Sequence, residues 1–271
     1  MAFANDATFI GILEIFDKKD WLTQTPKDSL DPRVRIVFSK ENNQWHAMKS
    51  QFKTFEELTA SPQYYPNEVA WYVTNKGKIL GTLSTVKYTP QWYSDVGIQQ
   101  VIGSLTKNFL LPAEKQWRFP LLKMNYKPLV LVSQKKDVQD FQDTEGWVSG
   151  QLNTDEMNKI HITLQKKMKS LFSQDNIKIV ESYYSKNHAL LISVVTSSES
   201  SPYWFYFENP LSVQLLGQGI VPIEAADFDH DGKTEWVFLY SDLKNPDANS
   251  NGYVLFYDNF KKSARFLWSS H

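Results

Sequence analysis

Asp227-Phe228-Asp229-His230-Asp231-Gly232-Lys233-Thr234-Glu235, followed at once by Trp236-Val237-Phe238-Leu239-Tyr240, is the stretch on which the reading of this chain turns. Carboxylates stand at loop positions 1, 3, 5 and 9. In a tightly turning backbone, alternate residues aim at one point, so Asp227, Asp229 and Asp231 converge while Phe228 and His230 face away. Gly232 at position 6 supplies the conformation that a sharp turn demands. Lys233 at position 7 offers its backbone carbonyl, and Glu235 at position 9 opens the apolar strand that follows. Calcium takes six to eight oxygens at roughly 2.3–2.6 Å, so this set completed by waters suits it. The alternative is a turn whose Asp side chains cap backbone amides. Like charges this close repel, which favours the cation.

The loop is not an EF-hand, because position 12 is the apolar Phe238 where that loop needs a bidentate Glu. It resembles instead the D-x-D-x-D-G-x-x-[DE] loop of the FG-GAP (integrin α-type) and VCBS repeat families. The apolar entry from Ala225 and the aromatic-aliphatic exit to Leu239 are also similar to theirs. The resemblance covers about 45 of the 271 residues, from Ile223 onward. It implies a calcium loop joining neighbouring strands of a propeller blade. Two departures stand against it: Glu235 replaces the commoner Asp, and no sister loops are evident. A weaker echo, Asp247-Ala248-Asn249-Ser250-Asn251-Gly252, has Leu255 at position 9 and reads as a hairpin loop.

Working outward, short strands dominate. Residues 177–184, 189–195, 203–208 and 212–216 alternate with turn-rich segments, and residues 235–240, 252–258 and 264–269 continue the rhythm. Leu190 and Trp236 fall at equivalent places, a period of about 46 residues, within the range of propeller blades. Earlier, residues 9–16, 33–38, 44–48, 69–73, 78–83 and 129–132 read as strands, with Asn75-Lys76-Gly77 as a hairpin turn. One segment differs. From Asn153 to Phe172, apolar residues recur at helical spacing, and Asn153 with Glu156 forms a capping box. The expected fold is therefore mainly β, a propeller-like arrangement of about five blades with one inserted amphipathic helix, with a β-sandwich pair as the alternative. Residues 5–150 make an N-terminal β-rich part, and residues 151–271 hold the helix and the repeats, or the two form one continuous propeller. The strand at 9–16 is expected to close the ring against the last blade, and residues 137–150 to form an exposed connection between the halves.

Composition narrows the function classes. Lys and Arg number 29 against 30 Asp and Glu, so no basic excess exists to attract nucleic acid. Cysteine is absent, which removes disulfides, thiolate metal sites and cysteine nucleophiles. Apolar runs fall short of the ~18 residues of a membrane helix, so no span is expected. Met1 before Ala2-Phe3-Ala4 matches the small-residue pattern preceding signal-peptidase cleavage, pointing to a secreted or periplasmic protein whose signal peptide is removed.

No catalytic constellation stands out. His46, His161, His188, His230 and His271 form no ligand pair, and no nucleophile elbow, Walker loop or dinucleotide fingerprint occurs. The reading is a secreted binding or interaction module, its partner a protein or a glycan, with calcium in a structural role. A purely structural envelope protein is not separable from it. The alternative is a secreted carbohydrate-active, glycoside hydrolase-like enzyme. That version draws on loop carboxylates such as Asp95, Asp143 and Glu145, and on loop aromatics Tyr64, Tyr65, Trp92, Tyr93, Trp117 and Trp147.

Overall fold

Residues 236–240 carry large apolar side chains on consecutive positions, and a strand without alternation must bury both of its faces. The architecture follows from that requirement. The structure is a computed structural model that describes residues 8–17, 30–49, 54, 56–57, 70–84, 88–92, 99–103, 129–134, 140–169, 171–172, 177–197, 201–241 and 250–269.

The strands of the described residues form three antiparallel sheets, and none of these closes on itself. The first collects β1 (Thr8–Asp17), β2 (Leu30–Glu41), β3 (Gln44–Ala47), β4 (Ala70–Asn75), β5 (Lys78–Ser84), β6 (Tyr88–Trp92), β7 (Gln99–Gly103) and β8 (Leu129–Gln134). Its order is β5-β4-β8-β1-β2-β7-β6, with β3 added beside β2. The second sheet joins β9 (Val148–Ser149), β10 (Ile177–Tyr184), β11 (Leu190–Thr196), β12 (Tyr203–Asn209) and β13 (Ser212–Gln218) in simple succession. The third is the meander β14 (Ile220–Ala226), β15 (Glu235–Ser241), β16 (Ser250–Tyr257) and β17 (Lys262–Ser269). Leu190 and Trp236, equivalent in the repeat read from the sequence, lie in the second strand of two successive four-stranded meanders, β10–β13 and β14–β17.

The sheets stack in layers. From the third sheet, Val237, Leu239, Tyr253 and Leu255 meet Phe9, Ile12, Trp71 and Val132 of the first in one core. On its opposite face, Trp236, Phe238, Val254 and Phe256 meet Leu191, Trp204 and Tyr206 of the second. The other face of the second sheet packs Ile192, Val194 and Phe205 onto the helix α1 (Thr154–Lys167) through Ile160 and Leu164. The third sheet is thus the filling of a sandwich, which is why β15 reads as an unbroken apolar run.

Helix α1 starts where the sequence places it. Asn153 Oδ1 accepts from the Glu156 N–H at 2.9 Å, and the Asn153 N–H donates to Glu156 Oε2 at 2.9 Å, the reciprocal pair of a capping box. The helix ends at Lys167 with Met168 as its cap, short of the Phe172 expected from periodicity. Among the described residues, no helix is long and apolar enough to cross a membrane.

Two expectations are corrected and a third is refined. The strand at 9–16 does not join the last sheet; β1 lies inside the first sheet, paired with β2 on one side and β8 on the other. Strands β2 and β8 pair with both of its edges, so no ring closure is needed to satisfy them. Trp92, read as a loop residue, ends strand β6. The segment expected as an exposed connection is largely so over its described part, but it is pinned to the interior at Phe141, which is fully buried. Gly77, in the β4–β5 turn with φ +70°, lets the Phe141 carbonyl approach so closely that a Cβ would lie 2.1 Å from its oxygen.

Candidate metal centre

The segment after β14 must reverse direction to reach β15, and it does so with two residues in the left-handed region. Gly232 has φ +86° and His230 φ +57°. Gly232 adopts this at no steric cost. His230 is held by stacking on Phe141, with ring centroids 5.3 Å apart. Phe228 is fully buried and meets Phe141 edge-on at 6.2 Å. The two residues expected to face away from the acidic centre therefore form the anchor that fixes the loop on the core.

With the anchor in place, Asp227, Asp229 and Glu235 converge: one carboxylate oxygen from each lies within 4.8 Å of the others. Among the described residues this is the one such group of acidic and histidine side chains. Glu235, at 1% exposure, is almost wholly removed from solvent, and Asp227 is buried too. Asp231 sits at the rim with its side chain 43% exposed. Lys233 turns its ammonium outward, 2.5 Å from Asp258.

The loop's own amides fix these carboxylates. Asp227 accepts from the Asp231 N–H and the Gly232 N–H, both at 3.0 Å. Asp229 Oδ1 accepts from the Asp231 N–H at 3.1 Å, and Asp231 Oδ1 from the Lys233 N–H at 2.9 Å. Glu235 Oε2 accepts from the Phe228 N–H at 2.8 Å. These are the bonds of the amide-capped turn weighed above. They leave lone pairs free, since each ionised carboxylate offers about four acceptor sites. Capping and cation binding are compatible here.

Two residues that no local pattern indicates complete the site. Lys40, at the end of β2, places its ammonium against Asp229 Oδ2 and 3.9 Å from Asp231 Oδ2. Trp45 of β3 donates its indole N–H to the same Asp229 oxygen at 3.1 Å. They lie 189 and 184 residues away in sequence, so only the packing of the first sheet on the third reveals them. A lysine within a strand near a lone tryptophan carries no signal of its own.

The electrostatics reflect burial among like charges. Desolvation pushes the Glu235 carboxyl up to about 10, and the Asp229 charge adds to this against the opposing Phe228 N–H bond. Asp227 is also raised, first by desolvation, while the N–H groups of Gly232 and Asp231 pull it back. All the ligating atoms on offer are oxygens, the preference of a hard cation such as calcium.

Residues 140–147 brace the loop from outside. Thr144 Oγ1 donates to the Gly232 carbonyl at 2.8 Å, and Thr234 Oγ1 donates to Asp143 Oδ1 at 2.6 Å. Asp140 accepts from the Ile79 N–H at 2.8 Å, and the Glu145 carbonyl accepts from the Lys186 N–H at 2.9 Å. One segment therefore touches hairpins of the first and second sheets and the acidic loop of the third. Asp143 and Glu145, considered as catalytic carboxylates, serve here as acceptors: Asp143 Oδ1 for the Gly146 N–H at 3.0 Å, and Glu145 Oε2 for the Trp147 indole at 2.9 Å. Trp147 packs on Trp236 and Phe260. Tyr64, Tyr65, Tyr93, Asp95, Trp117, His271 and the start of the second acidic echo lie outside the described residues.

No family model matches the chain, no curated protein matches it, and no solved structure matches it.

Proposed function

We propose that the chain is a secreted or periplasmic binding module whose three sheets are locked together by a structural calcium ion at the loop 227–235. Asp227, Asp229 and Glu235 hold the ion, Asp231 closes the rim, and Lys233 contributes its backbone carbonyl. The observation that carries this reading is the convergence of three carboxylates within 4.8 Å at a largely buried position. Leaving such a cluster without enough positive charge costs several kcal/mol per uncompensated ion, by about the scale known for buried charges. Lys40 supplies one positive charge; a divalent ion supplies the rest and displaces the proton that burial otherwise keeps on Glu235.

Under this reading the third sheet is a blade of the FG-GAP or VCBS kind, with the acidic loop between its first two strands. The meander β10–β13 is then the neighbouring blade, within a propeller-like arrangement of about five. The Ala2-Phe3-Ala4 pattern is the support for the export part of this proposal. The partner is a protein or a glycan met at the surface, while the metal acts on stability alone.

The test is a melting curve in millimolar calcium against one in chelator, on the intact protein and on Asp229→Ala. A ligand at 100 times its Kd adds about 2.7 kcal/mol to stability, several degrees of melting temperature. Identical curves for the intact protein in both buffers, with no heat of binding by calorimetry, would remove the calcium site from this account.

A further inference from the structure

We draw no further inference here: the strongest candidate, the aromatic seam between the second and third sheets where the indole N–H groups of Trp204 and Trp236 are buried without an acceptor, carries nothing, because Tyr183 and Phe238 pack directly against both indoles and nothing in the structure shows an opening or an occupant there.

Discussion

Replacing Lys40 by methionine separates the two cations that have a claim on Asp229. The ammonium rests on Asp229 Oδ2, and only 14% of the Lys40 side chain is exposed. Calcium bound to that carboxylate at ~2.4 Å would lie roughly 5 Å from the ammonium. Coulomb's law puts the repulsion between a divalent ion and a unit charge at that range at about 1.7 kcal/mol with the dielectric of water, and about 7 kcal/mol at an effective value of 20. The lower figure is the one used, because the flexible lysine stem lets the ammonium withdraw from the ion as it binds. Lys40→Met should therefore bind calcium about tenfold more tightly, since ~1.4 kcal/mol is a factor of ten. The same variant in chelator should melt below the parent protein, because Asp229 then keeps only Trp45 and the Asp231 amide as partners. Calorimetric titration of both proteins at fixed ionic strength, with melting curves alongside, makes the measurement. Equal affinities, or weaker binding by the methionine variant, would refute the placement of the ion beside Asp229.

Two further expectations follow from the same geometry. Glu235 is raised to about 10 in the folded, metal-free protein and lies near 4.5 once unfolded, so the folded state holds the extra proton between those values. Its contribution to stability is then complete below about pH 4.5 and is lost as pH rises through about 10; melting temperatures in chelator should fall from pH 5 to pH 9, and Glu235→Gln should flatten the slope if this carboxyl causes it. Phe141→Ala should cost about 3–5 kcal/mol in urea unfolding, because it removes a fully buried ring that supports both Phe228 and His230; a loss below about 1 kcal/mol would show that the loop does not lean on it.

What could be read from the chain was what local chemistry determines. The cap at Asn153, the left-handed glycine at 232 and every strand of the two C-terminal meanders except β14 depend on neighbours within a few residues, and these are found where the spacing puts them. The partners of β1 depend on segments far along the chain, and an apolar run calls for burial without naming what covers it. The unbroken apolar run of β15 did hold the clue to a sheet buried on both sides. Lys40 and Trp45 were invisible for a similar reason, as their role exists only once two sheets meet. Residues 140–150 are mostly exposed, as their polar composition suggests, but composition does not show that one buried ring and a few side-chain hydrogen bonds tie the segment down.

The place of the third sheet has a consequence for biosynthesis. Its strands, residues 220–269, are translated after those of the other two sheets yet occupy the middle of the stack. At about 5–20 residues per second, roughly 7–27 s separate the emergence of β8 from that of β17. For that interval the apolar side of the first sheet has no cover of its own, a span in which chaperones are the natural guardians of a nascent chain. A chain stopped after Gln218 should accordingly sediment as aggregate, and recovery of a folded monomer from that truncation would show that the earlier sheets complete themselves without the last one.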